Sequence, residues 1–202
     1  MSPKRLCGTC IVVSAIVVLC GCGAEFEIGP AQITFPLGSG SLSGPNFSKA
    51  LVATVESDLC DLPSEAELKE ELRNLVDTID LTNLITLSRI EVVNTKITAT
   101  SGNFNNLDQV SLEYVPKPVS GQEQPPVSLG SVSTPPQLGN QIVLTPPSTV
   151  DMLQLMRQND DNAGPGCPKV KMTAEGTAPV TPISWQSEVT VNIWAKITPL
   201  GK

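Results

Sequence analysis

Apolar and polar residues alternate along much of this chain, and a period of two is typical of β-strands that bury one face. The pattern occurs at residues 33–37, 110–114, 170–174 and, over the longest stretch, 189–197. These segments predict a mainly β fold. We expect the last two to form an antiparallel pair, because only a short turn region separates them.

Two regions interrupt the alternation. Between residues 84 and 99 the apolar positions change phase at Val92 and Val93, which indicates either a β-bulge or two strand segments. Residues 116–147 hold eight of the 18 prolines. Proline has no N–H to donate to a central strand, so we expect surface loops here, with short edge strands near 127–132 and 142–144. Residues 38–44 read Gly-Ser-Gly-Ser-Leu-Ser-Gly, which predicts a flexible connector.

Helical spacing replaces alternation at 65–80, with apolar residues at Leu68, Leu72, Leu75, Val76 and Ile79. Ser64 and Glu67 have the spacing of a capping box, in which each side chain accepts from the backbone N–H of the other residue. A second helix is predicted at 149–158 with Ser148 as its cap, although a strand over 150–156 also fits. Together the elements predict an antiparallel β-sandwich with one or two packed helices.

The first 22 residues have the composition of an export signal. Lys4 and Arg5 precede an apolar run at 11–19, which ends in Leu19-Cys20-Gly21-Cys22. The run is too short for a transmembrane helix, which needs about 20 apolar residues. Its dimensions are those of a secretory signal peptide.

This segment resembles the lipobox of bacterial lipoproteins. The resemblance implies that a diacylglycerol, with acyl chains such as palmitate, is attached to Cys22, and that residues 1–21 are removed. A plain signal peptide cut nearby and an uncleaved anchor remain alternatives. Gly23 is not a retention residue, and it resembles the pattern that sorts lipoproteins of Gram-negative bacteria to the outer membrane. The mature part is similar to uncharacterised β-sandwich lipoproteins, with no motif that carries a functional residue over.

Under this interpretation residues 1–21 are the signal peptide, 22–30 are the lipidated N-terminus with a short tether, and 31–202 form one domain. Three of the six cysteines leave with the signal peptide, and Cys22 carries lipid. Cys60 and Cys167 remain, and outside the cytosol we expect them to form a disulfide. The alternative is two buried thiols.

Charge and composition exclude several classes of function. Removal of residues 1–21 leaves 11 basic and 20 acidic residues, a net charge of −9. This balance argues against nucleic-acid binding and against attraction to anionic lipid, so membrane attachment is expected to rest on the acyl chains. The chain has no histidine, which excludes Ser-His-Asp and Cys-His catalysis and the zinc sites that need imidazole. We predict no cofactor.

Two candidate sites remain. Residues 159–164, Asn-Asp-Asp-Asn-Ala-Gly, are similar to part of a calcium loop but lack its distal glutamate, so no metal site is predicted. Trp194 has the opposite parity to the apolar residues on its strand and is predicted to face outward as a partner contact. Cover by a helix or by the proline-rich loops is the alternative. Trp185 has the core parity and is predicted to be structural.

These observations predict a non-enzymatic interaction or structural module of the bacterial cell envelope. A carrier of an apolar or lipid ligand is the alternative, because an aliphatic core would lie close to the bilayer. A hydrolase that uses carboxylates comes third. The acidic residues at 65–71 are interpreted instead as the solvated face of the predicted helix.

Overall fold

The chain pairs with itself as one long hairpin that is rolled into two sheets. The computed structural model describes residues 26–47, 52–75, 85–119, 121–133, 139–161 and 166–198. The strands in these residues are β1 Phe26–Leu42, β2 Val52–Asp58, β3 Ile85–Ser101, β4 Leu107–Val115, β5 Val127–Ser133, β6 Gln141–Leu144, β7 Lys169–Gly176 and β8 Ile183–Ile197. Helix α1 spans Glu65–Leu75, and helix α2 spans Met152–Asp161.

The strand order is that of a jelly roll. Strand β1 pairs with β8, β2 with β7, β3 with β6 and β4 with β5, all antiparallel. Sheet one has the order β1-β8-β3-β6, and sheet two has the order β2-β7-β4-β5. Rolling an eight-stranded hairpin in this way gives two sheets connected by Greek keys. The predicted antiparallel β-sandwich with packed helices is confirmed.

Side chains of one parity on each strand fill the core between the layers. The inward residues of β8 from Val189 to Ala195 are fully buried, and Trp185 is 1 % exposed. Trp185 is therefore structural, as its parity predicts. Full burial of each valine or isoleucine side chain stabilises the fold by about 1.5–3 kcal/mol.

The two sheets differ in length, and the helices make up the difference. Strands β1, β3 and β8 have 17, 17 and 15 residues, whereas the strands of sheet two have seven to nine. Sheet two covers the second half of β1, where Gly38 lies against Val170 and Ser57. Over the first half, Leu68 of α1 shares a groove with Ile33 and Phe35. The helices thus extend the second layer of the sandwich.

Helix α1 begins as the capping box predicts. The backbone N–H of Ser64 donates to Glu67 Oε2 at 2.8 Å, and the N–H of Glu67 donates to Ser64 Oγ at 3.2 Å. These bonds satisfy donors that the first helical turn leaves without partners. The predicted extension of the helix to residue 80, with Val76 and Ile79, lies outside the described residues.

Helix α2 begins later than predicted. Asp151, rather than Ser148, is its cap, since Asp151 Oδ1 accepts from the N–H groups of Leu153 at 3.0 Å and Gln154 at 3.3 Å. Val150 is held outside the helix because its carbonyl accepts from the N–H of Val92 at 3.1 Å. The alternative strand over 150–156 is wrong. Residues 159–161, predicted to lie in a loop, form the last turn of α2, and 162–165 lie outside the described residues.

The predicted pairing of the last two strands is also wrong. Strand β7 pairs with β2 and β4 in sheet two, whereas β8 pairs with β1 and β3 in sheet one. Alternation shows which face of a strand is buried, but it does not name the partner. The two strands therefore lie in different sheets instead of side by side.

The irregular regions follow the sequence pattern more closely. Strand β3 is continuous with a register shift between Val92 and Asn94, so the β-bulge is the correct alternative there. In the proline-rich region, β5 and β6 are short and each lies at the edge of its sheet, as predicted. Edge positions suit this region because an edge strand has fewer N–H groups to pair.

Two predicted flexible segments belong to β1. Phe26–Pro30, assigned to the tether, begin the strand, and Phe26 pairs with Ile197. Gly38–Leu42, assigned to a connector, continue it. Gly40 is required there for space: a Cβ at this position would lie 2.8 Å from the Trp185 ring and 3.0 Å from Val55. The glycine serves close packing rather than flexibility.

Gly40→Ala is therefore expected to lower the free energy of unfolding by about 1–3 kcal/mol, as overpacking does in other cores. Gly44→Ala is the matched control, because a Cβ at Gly44 would meet nothing within 4 Å, and its effect should stay within about 0.5 kcal/mol. Urea unfolding followed by tryptophan fluorescence measures both. Equal stability of the two variants would contradict the close approach of Gly40 to Trp185.

Candidate functional site

One end of sheet one is the end at which the chain enters the described domain. Phe26 at the start of β1 and Ile85 at the start of β3 both pair with Ile197 at the end of β8. We call this the anchor end. Cys22, the predicted lipidation site, lies outside the described residues. Four residues of extended chain reach at most about 14 Å, so Cys22 lies within that distance of Phe26.

Trp194 lies near the anchor end on the outer face of sheet one. Its neighbours Ile193 and Ala195 are fully buried, while Trp194 is half-buried. The prediction that it faces away from the core is confirmed. The guanidinium of Arg89 lies 3.9 Å from the ring centroid, and the backbone of Gly29 in β1 lies close beside the indole. A partner contact through Trp194 stays a prediction.

Three basic side chains, one of which contacts this tryptophan, lie together at the anchor end. A shallow depression at the anchor end is lined by Arg89, Arg157 and Lys196, together with Glu27, Thr86, Leu87 and Ser88. We call these residues the anchor-end patch. Their positions in the sequence give no local signal, because β3, α2 and β8 each contribute one cation. Only the topology brings them together.

Ion pairs hold two of the three cations in place. Arg89 Nη1 lies 3.1 Å from Glu91 Oε1, and the Arg157 guanidinium binds Glu65 with two bonds of 3.1 and 3.2 Å. The second pair joins α2 to the first turn of α1. Within the described residues, Lys196 makes no ion pair and is exposed.

The Glu65–Arg157 pair shifts the pKa of both groups. The hydrogen bonds from Arg157 hold the pKa of the Glu65 carboxyl below its ordinary value, with a smaller contribution from Lys69. The same bonds raise the pKa of Arg157. Glu67 also has a lowered pKa, because it accepts from the backbone N–H and then the hydroxyl of Ser64.

The flank of the domain formed by β1, the β2–α1 loop and α1 is acidic. Two open grooves, of about 510 and 440 Å³, run along β1, the β2–α1 loop and α1. The charged residues that line them are all acidic: Asp58, Asp61, Glu67, Glu70, Glu71 and Glu188. The apolar side chains at the bottom of the grooves expose little surface, since Leu37 is 1 % and Phe35 is 2 % exposed.

The structure joins Cys60 and Cys167 in a disulfide, which connects the β2–α1 loop to the start of β7. The N–H of Leu59 also donates to the carbonyl of Pro168 at 2.8 Å. The disulfide joins cysteines that are 107 positions apart in the sequence. In the chain-entropy description, cross-linking a loop of this order stabilises a fold by up to about 4.7 kcal/mol. The acidic flank is therefore fixed to sheet two.

In the described part of the chain, no group of three or more Cys, Asp or Glu side chains could hold a metal ion. No helix in the same residues is long and apolar enough to cross a membrane.

Comparison with known proteins identifies no family and finds only distant structural matches. The chain matches no protein-family model and no curated protein. Solved structures that match include Desmodium yellow mottle tymovirus, at 12 % identity and a TM-score of 0.29, covering 94 % of this chain and 97 % of that chain. The empty head of turnip yellow mosaic virus matches at 15 % identity and a TM-score of 0.28, covering 95 % and 90 %. A mud crab tombus-like virus matches at 11 % identity and a TM-score of 0.30, covering 98 % and 90 %. Similarity this low supports no inference about function.

The lowered pKa of Glu65 makes the helix contact depend on pH. A carboxylate with a depressed folded pKa adds stability above its unfolded pKa and loses it as the pH falls through the folded pKa. The ion pair lost in Arg157→Gln should therefore cost up to about 1 kcal/mol at neutral pH, and this part of the cost should disappear below the pKa of Glu65. Thermal melts across the acidic range measure this difference. In a Glu65→Gln background the pH-dependent part should vanish; if it persists, another group is responsible.

Proposed function

We propose that this chain is a lipid-anchored lipoprotein of the bacterial cell envelope, sorted to the outer membrane, whose domain acts as a non-enzymatic interaction or structural module. The observation that carries the proposal is the spacing between the lipobox-like segment and the fold. Cys22 is followed almost at once by β1, which begins at Phe26. A signal that ends beside a folded domain suits a protein held close to the bilayer.

The shape of the domain supports a module rather than a carrier. A ligand carrier needs a concave site that buries most of an apolar molecule, with a volume of about 300–1,000 Å³. The groove between α1 and β1 has a suitable volume of about 440 Å³. However, the apolar residues Phe35 and Leu68 that line it are each 2 % exposed, so it offers little apolar surface to a lipid.

The outer face of sheet one supports an interaction or structural role. Its central side chains are polar and bond to one another across the strands: Thr34 Oγ1 lies 3.0 Å from Thr190 Oγ1, and Gln32 Nε2 donates to Asn192 at 3.4 Å. Lys96 and Glu188 add an ion pair of 2.9 Å. Such a broad and ordered polar surface suits the binding of another molecule and needs no catalytic reaction.

Replacement of the proposed acylation site gives the first test. Cys22→Ser is expected to remove the incorporated fatty acid and to release the protein from the membrane fraction, because each buried CH₂ contributes about 0.8 kcal/mol to anchoring. Cys20→Ser is the matched control, two residues away, and should keep both properties. Labelling with an alkyne fatty acid, followed by fractionation and intact mass, measures them. Equal labelling of the Cys22→Ser protein would contradict the proposal.

Native mass spectrometry distinguishes an interaction module from a ligand carrier. The full-length protein would be released from its own membranes in mild detergent, so that the acyl mass and any bound molecule are read together. A stoichiometric protein partner is the expected result for an interaction module. A non-covalent lipid retained by every molecule would favour the carrier instead.

A further inference from the structure

We propose that the anchor-end patch docks on the headgroups of anionic phospholipids and orients the domain on the bilayer. The inference rests on the proposed acylation of Cys22. It adds a surface, Arg89, Arg157 and Lys196 beside Trp194, and the class of lipid that this surface contacts. The anchor provides the attachment, so the patch has only to select one orientation.

The length of chain ahead of the fold limits where the patch can lie. At most about 14 Å of chain separates Cys22 from Phe26. Glu27 of the patch follows Phe26 directly, and its cross-strand partner is Lys196. Trp194 is two residues further along β8, about 7 Å away. Once acyl chains on Cys22 enter a bilayer, the patch is within reach of the headgroups.

Charge then distinguishes the patch from the flank formed by β1, the β2–α1 loop and α1. The patch contributes three cations and one carboxylate, Glu27, which already accepts from the hydroxyl of Ser88 at 2.6 Å. Including the partners Glu65 and Glu91, the group has three cations and three carboxylates and is neutral. The grooves along α1 and the β2–α1 loop are lined by acidic groups alone among their charged residues, and Lys69 of α1 is paired with Glu65. An anionic surface repels this flank and accepts the patch, with exposed Lys196 as the leading contact.

The overall negative charge of the domain does not prevent this contact. Charges more than about 8–10 Å apart are largely screened at physiological ionic strength. A headgroup at the anchor end is therefore influenced by Lys196, Arg89 and Arg157 with their neighbouring carboxylates, and hardly at all by acidic residues at the far end of the sandwich. The same screening predicts that the orientation is lost at high salt while the acyl anchor holds.

Trp194 suits this position and also reports on it. Tryptophan is enriched at the level of the headgroups, where its apolar ring and polar N–H meet matching surroundings. The only other tryptophan, Trp185, is 1 % exposed within the core. A quencher confined to the headgroup region therefore reaches Trp194 and leaves Trp185 as a constant background.

The test uses the acylated full-length protein, purified from its membranes and reconstituted into two kinds of vesicle. One contains phosphatidylcholine alone, and the other contains equal parts of phosphatidylcholine and phosphatidylglycerol. Each carries a small amount of lipid spin-labelled at the headgroup. We expect at least twofold stronger quenching of Trp194 in the anionic vesicles and loss of this excess in high salt. Equal quenching in both vesicles would overturn the proposal.

Two variants with the same change of charge complete the test. Lys196→Gln should remove most of the excess quenching. Lys96→Gln should retain it, because Lys96 pairs with Glu188, eight residues and about 26 Å along β8 from Lys196. A similar loss in both variants would mean that total charge, not the patch, sets the orientation.

Intact mass and flotation with the vesicles keep the two proposals distinct. A protein with no acyl mass on Cys22 overturns both the anchor and the docking. An acylated protein that floats with both vesicles but shows no excess quenching overturns the docking alone.

Discussion

The pairing of the first strand with the last is the contact on which the rest of the structure depends. Strand β8 lies between β1 and β3, and its central residue Val191 faces Ile33 on one side and Val92 on the other. Sheet one is therefore incomplete until the final residues of the domain are in place. Pairings this distant in sequence form late and slowly, because the loop must close before the contact stabilises it. They also bring the two ends of the domain together at Phe26 and Ile197.

The unequal lengths of the two sheets explain why the helices are needed. The part of sheet one that contains the first half of β1 extends past sheet two. Its inward-facing residues would contact water without a second layer. Helices α1 and α2 cover them with Leu68, Leu72, Leu153 and Met156, which are at most 8 % exposed. Because the helices come from distant parts of the chain, the bonds from Arg157 to Glu65 join two separate segments of one layer. The anchor end is thus built from helices as well as strands.

Structural features that depend on neighbouring residues could be predicted from the sequence, and features that depend on residues distant in the chain could not. The Ser64–Glu67 capping box, the bulge at Val93 and the edge strands between prolines depend on neighbouring residues. The cap and the edge strands were predicted, and the bulge was one of two alternatives that the phase change indicated. The partner of β7 depends on the rolling of the whole hairpin, and nothing near Val170 indicates it. The role of Gly40 depends on Trp185, which is 145 residues away in the chain. A glycine-serine composition shows conformational freedom but not whether a large ring requires the space.

Charge illustrates the same division between composition and position. A net charge of −9 after residue 21 correctly describes an acidic protein, and at a distance that description is sufficient. Contact with a surface is decided within a Debye length, where only the nearest groups act. The fold gathers Arg89, Arg157 and Lys196 from three elements at one end and places the acidic α1 flank beside them. A domain can therefore be acidic as a whole and still present a preferred face to an anionic bilayer, provided that an anchor at Cys22 holds that end close to it.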